Sequence, residues 1–183
     1  RDSGIKRLHH DAHVVHPLER QALIVADRKA PMNFRCATGL STTHVCVSAG
    51  NVLAYTNESG GNLKLLLTSA GIRNPSIHDA LVQLLGKPIP ECDALCIPTA
   101  LYGHPMAGPR QAWRCISGQE PGTPTVGLGW KSMGVLELTA LPSIKRENWV
   151  APVEEADALL VFGGDVLYLC RWMRESGLAD LLP

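Results

Sequence analysis

The chain carries no excess of charge of either sign. Its 17 Lys and Arg balance 17 Asp and Glu, so the formal net charge is zero. A nucleic-acid binder would need a basic stripe, and a peripheral membrane protein a polybasic anchor; neither is present. No apolar run approaches the ~18–20 residues of a transmembrane helix. The first ten residues, Arg1 to His10, lack the apolar core of a signal peptide. They also lack an initiator Met, which leads us to expect a processed, tagged or incomplete chain. Metal motifs are thin as well. Of six cysteines, Cys92 and Cys96 lie four apart, but no second close pair completes a zinc set. Cys96 and Cys170 sit within apolar runs and read as small buried hydrophobes. A reducing, cytoplasmic compartment follows from this cysteine usage.

A length of 183 residues and a hydrophobic share of 45% are those of a globular protein with one domain, or one domain plus an appendage. The chain divides near Gly60-Gly61. Residues 63–183 repeat one theme of apolar strand, loop and helix. Lys64–Thr68 suits a strand buried on both faces. In Pro75–Gly86, Ile77, Ala80, Leu81, Leu84 and Leu85 fall on one helical face, with Asn74 as N-cap, Pro75 in the first turn and Gly86 as the stop. Further strands are expected at Ala94–Pro98, Gly134–Leu138 and Ala158–Phe162. Helical pieces are expected at Gln111–Ile116, Ile144–Val150 and Val166–Ser176, the last stopped by Gly177. Strands spaced by helices predict an α/β, doubly wound, mainly parallel sheet. Ligands of such sheets bind beyond the carboxyl ends of the strands.

Residues 1–62 differ. They hold five of the seven histidines and only short apolar pieces, such as Ala22–Ala26 and Val45–Val47. Two readings stay open for this atypical segment: an appendage with little order, or part of the sheet. His9, His10, His13 and His16, with Asp11, share helical spacing and could present imidazoles to a metal. An exposed N-terminal segment is the simpler account, so neither a metal nor another cofactor is expected.

Four segments come in a familiar order: Leu65-Leu-Leu-Thr-Ser-Ala-Gly71, Ile97-Pro-Thr-Ala100, Trp130-Lys-Ser-Met-Gly-Val-Leu-Glu-Leu138 and Gly163-Gly-Asp-Val-Leu-Tyr-Leu169. Together they resemble the dipeptidase E (aspartyl dipeptidase) family of serine peptidases over residues 64–183. The resemblance implies a class I glutamine amidotransferase-like fold and an intracellular hydrolase of small peptides. It gives Gly163 and Gly164 an oxyanion-hole role, and places Ser69 and Asp165 toward substrate. Asp165 stands where many relatives carry asparagine. The family's nucleophile elbow and histidine follow the diglycine helix, whereas no serine or histidine follows residue 176 here. The resemblance therefore implies the N-terminal part of a peptidase E-like domain, catalytically incomplete. A serine without an adjacent base is a poor nucleophile. The alternative is a non-catalytic α/β module or fragment that needs a partner chain, since a sheet ending at its fourth strand would self-associate through an exposed apolar edge.

One segment offers a nucleophile elsewhere. Cys46-Val-Ser-Ala-Gly50 matches the elbow except for Cys in place of the first Gly, which makes Ser48 a speculative nucleophile with His44 nearby in sequence. A chance match is the plainer account. His104 lies in a proline-rich loop at the expected site end, where substrate contact competes with simple solvation. His78 reads as a helix-boundary residue, and Glu154 and Glu155 as a solvated helix end. Gly127–Gly134 loosely suggests a nucleotide loop, but it precedes a strand, whereas a dinucleotide fingerprint follows one.

Overall fold

The computed structural model describes residues 21–26, 53–56, 63–68, 71–119 and 125–182. Among the described residues six strands form one sheet: β1 (Gln21–Ala26), β2 (Leu53–Thr56), β3 (Leu63–Thr68), β4 (Asp93–Ile97), β5 (Ser132–Val135) and β6 (Ala158–Val161). Their order is β2-β3-β1-β6-β4-β5. Strand β4 pairs in parallel with both β5 and β6. Strand β1 runs antiparallel to both its neighbours, β3 and β6, and β2 runs antiparallel to β3. Four strands thus share one direction, and β1 lies opposed among them. The expectation of a mainly parallel sheet holds for the β6-β4-β5 part; the remaining pairings make the sheet mixed. Strand β6 is paired on both sides, so the described sheet has β2 and β5 at its edges.

Side-chain alternation sends each parallel strand into two cores. On one face Ala94, Cys96, Ala158, Leu160 and Phe162 pack with Ile77 and Leu81 of helix α1 (Pro75–Leu85) and with Ala112 and Cys115 of helix α3 (Gly108–Ile116). On the other face Ile97, Leu159 and Val161 pack with Trp149 and Val153 of helix α4 (Glu147–Glu155) and with Leu178. Helix α5 (Val166–Glu175) joins that second face through Leu169, Trp172 and Met173, which are partly buried. Helices on both faces of a partly parallel sheet define a three-layer α/β arrangement.

Local signals set the helix limits. The Asn74 side chain accepts a hydrogen bond from the Ile77 N–H at 2.8 Å, and Gly86 closes α1 in the left-handed region at φ 70. Both features are those the sequence predicts. Helix α4 runs through Pro152, although an interior proline ordinarily breaks a helix. Trp149 and Val153, one turn apart and both buried, hold the helix against the sheet across that defect.

The amino ends of the parallel strands carry a polar brace. Asp157, which immediately precedes β6, accepts the Asp93 N–H at 2.8 Å and pairs with Lys87 at 2.9 Å. Its own N–H donates to the Asp93 carbonyl at 2.8 Å. The Asp93 carboxylate takes Lys131 at 3.0 Å and the Ser132 hydroxyl at 2.7 Å. This brace ties β4, β5 and β6 together on the side away from the candidate site.

Candidate functional site at the carboxyl ends of the parallel strands

The chain leaves β6 through Phe162 into Gly163 and Gly164. The Phe162 N–H continues the ladder to the Ile97 carbonyl at 3.0 Å. The short helix α2 (Thr99–Tyr102) follows β4 and lies against this turn. The Asp165 N–H donates to the Ala100 carbonyl at 2.9 Å. Gly164 has φ +149, and a Cβ there would collide with the Ala100 carbonyl group and lie 2.8 Å from the Leu101 nitrogen. Glycine is required at 164 because one backbone segment rests directly on another. Neither the Gly163 nor the Gly164 N–H makes a hydrogen bond among the described residues.

Asp165 is the N-cap of α5, its carboxylate accepting the Tyr168 N–H at 2.8 Å. That role consumes part of its hydrogen-bonding capacity. It also accounts for an Asp at a position suited equally to Asn, since the two cap helices about equally well. Asp165→Asn is expected to leave stability within about 0.5 kcal/mol, whereas Asp165→Ala is expected to cost about 1 kcal/mol, read by urea denaturation.

A second cluster sits beside the turn. Glu137 follows β5 between Leu136 and Leu138, both of which are buried, and is itself half-buried. One of its carboxylate oxygens accepts the Thr139 hydroxyl at 2.9 Å and the Thr139 N–H at 3.3 Å. Burial first, and then the nearby Glu137 carboxylate, push the Tyr102 phenol upward from its ordinary range. Next to Tyr102, Gly103 is held so close to α5 that a Cβ would lie 2.6 Å from the Tyr168 ring and Cβ.

Beneath them, burial pushes the Cys96 thiol from its ordinary 9.0 to about 11; its backbone hydrogen bond opposes this rise and the Glu137 charge adds to it. The unfolded thiol therefore ionises before the folded one. The stability conferred by the protonated, buried thiol is complete below pH 9 and is lost as pH rises toward 11. The loss is expected to reach about 2–3 kcal/mol. Chemical denaturation between pH 8 and 11 measures it, and Cys96→Ala is expected to flatten the slope.

The sequence-derived residues thus fall into three groups. Gly163, Gly164 and Asp165 come together at the end of β6. Ser48 and Ser69 lie outside the described residues, as do His9, His10, His13, His16 and His44. His104 is in the turn after α2, where its Nδ1 accepts the Met106 N–H at 3.2 Å, and His78 lies 3.8 Å from Asp79 on α1. Among the described residues no serine is hydrogen-bonded to a histidine, and no group of three His, Cys, Asp or Glu is placed to hold a metal ion. No described helix is long and apolar enough to cross a membrane. Sequence reasoning missed Glu137, Tyr102 and Thr139. The available signal was an acid between two leucines just past a strand, in the segment Leu136-Glu-Leu138 that the resemblance already spans.

No protein-family model matches the chain, and no match was found among curated proteins or solved structures.

Proposed function

We propose that this chain is a hydrolase of small peptides of the serine, dipeptidase E type, on a class I glutamine amidotransferase-like scaffold. The observation that carries the reading is the diglycine turn, which holds two N–H groups without partners among the described residues at the carboxyl end of a parallel strand. Such N–H groups are suited to an oxyanion. In the proposed reaction a serine oxygen adds to the peptide carbonyl carbon as its O–H bond breaks, the released proton being the one the leaving amine takes up, and the displaced carbonyl electron pair resides on the carbonyl oxygen, held by Gly163 and Gly164. Collapse expels the amine, which takes up a proton, and water then releases the acid from the acyl-enzyme. Ser48 is the candidate nucleophile. The four free cysteines among the described residues fit a reducing, cytoplasmic setting.

A second reading is favoured by one observation: no described serine is joined to a histidine. On that reading the chain binds small peptides as a non-catalytic module or together with a partner chain. A fluorophosphonate probe read by mass spectrometry, run beside an assay for amino acid release from Asp-Ala, separates the two. A serine adduct with dipeptide turnover supports the hydrolase. Peptide binding without adduct or turnover supports the module.

A further inference from the structure

We infer that β5 is a self-complementary edge, on which a second copy of this chain pairs antiparallel about a two-fold axis at Gly134. Among the described residues β5 lies at the end of the sheet and is bonded to β4 alone. The Leu136 N–H donates to the Cys96 carbonyl at 2.8 Å, so Gly134 and Leu136 turn their backbone groups toward β4. Met133 and Val135 turn theirs outward, because the backbone groups of successive residues point to opposite edges of a strand. At Lys131 the N–H turns back to the Cys92 carbonyl at 3.0 Å, so the open stretch begins after it. A row of open donors and acceptors is a template for another strand. No proline interrupts residues 131–137, and Val135 is 46% exposed although apolar.

Charge chooses the partner and the register. Antiparallel pairing through the open stretch joins Met133 of one copy to Val135 of the other, twice by symmetry. It sets Gly134 opposite itself and Lys131 opposite Glu137. A shift of two residues sets Lys131 opposite Val135 or Thr139 instead, so one register alone opposes unlike charges. Alternation puts the four side chains on one face. Met133 packs toward the core of α1 and α3, whereas Leu136 packs toward that of α4. Glu137 accepts neutral donors from Thr139 and pairs with no cation among the described residues. Lys131 is 60% exposed and pairs with Asp93 at 3.0 Å, but an ammonium group has three donors. The axis falls on a pair without mutual hydrogen bonds, where facing strands approach most closely. Position 134 has no side chain there, and a Cβ would already lie 2.6 Å from the Leu95 side chain. The other sheet edge has no such signature, since residues 52–57, which include β2, carry no charge. Strand β6 offers no edge, because β1 closes it.

Sedimentation equilibrium of the full chain tests this. The native chain is expected to move from one chain mass to two as concentration rises, and to do so less in molar salt, which screens the paired charges. Glu137→Lys sets like charges opposite each other at both ends of the pairing and is expected to weaken association about tenfold. Lys131→Glu combined with Glu137→Lys restores unlike pairs and is expected to recover most of that loss. Val135→Pro removes an outward N–H and spares the ladder to β4, so it is expected to abolish the dimer with an unchanged circular dichroism spectrum. If Val135→Pro does not fold, the charge exchange decides. A chain that stays monomeric up to about 1 mM, where even weak interfaces pair, overturns the inference. So does a dimer that either Glu137→Lys or a folded Val135→Pro leaves unchanged, and so does a loss that the double exchange fails to recover.

Discussion

Gly164→Ala is expected to lower stability by about 3–5 kcal/mol. A side chain at φ +149 costs about 1–3 kcal/mol in backbone strain. Its Cβ must in addition displace the backbone at Ala100 and Leu101, and overpacking of this kind costs about 1–3 kcal/mol more. The backbone there cannot swing aside as a long side chain would, because Ala100 and Leu101 are themselves buried in the core. Since a domain has only about 5–15 kcal/mol to lose, the melting temperature should fall by 10 °C or thereabouts. Gly86→Ala is the matched control. Gly86 also has a positive φ, but a Cβ there meets nothing within 4 Å, so the cost should stay near 1 kcal/mol. Equal losses in the two variants, measured by thermal denaturation, would show that the turn at Gly164 does not rest on α2 as described.

The second large effect lies at the opposite end of the strands. Asp157→Ala is expected to cost about 3 kcal/mol. The substitution strips the Asp93 N–H of its acceptor and leaves Lys87, only 30% exposed, without its partner. Losing one member of a buried pair is costly because the other stays desolvated and uncompensated. Lys131→Ala removes an ion pair of similar length, 3.0 Å, but Lys131 is 60% exposed, and water replaces the interaction. That variant is expected to lose less than about 1 kcal/mol. Urea titrations of both variants read the contrast directly. A cost for Lys131→Ala as large as that for Asp157→Ala would mean that burial does not set the strength of this brace.

What the sequence made legible depended on how local the cause was. Helix α1 was readable to its caps because Asn74, Pro75 and Gly86 act within one turn of themselves. Strands β4 and β6 were readable as apolar runs, since a strand covered on both faces needs no polar alternation; β3 was readable as an apolar run too, but it is not buried on both faces as expected, because Leu67 is exposed. Strand β5 was placed two residues late: its ladder spans Ser132–Val135, although the Leu136 N–H still reaches the Cys96 carbonyl at 2.8 Å. The place of β1 was not readable. Ala22–Ala26 is visible as an apolar piece, but an apolar run carries no information about direction or partner. Its antiparallel seat between β3 and β6 is fixed by pairing with residues remote in sequence. The site divides in the same way. Gly163, Gly164 and Asp165 are contiguous and announce a turn. The place of Glu137 at the carboxyl ends depends on β4 and β5 lying side by side in register, Leu95 opposite Gly134 and Cys96 opposite Val135.

The opposed strand β1 has a consequence for how the chain is made. It leaves the ribosome before either neighbour exists. Strand β3 arrives first and gives it a partner for all six positions, Gln21 to Ala26. Strand β6 is the last of these six to appear, and until then the other side of β1 and one side of the β4-β5 pair lack the partner they have in the sheet. Closing so long a loop is entropically costly and slow relative to forming local helices. Any delay in that closure leaves the β6 side of β1 as an open backbone edge, the kind of edge on which a strand of another copy can pair.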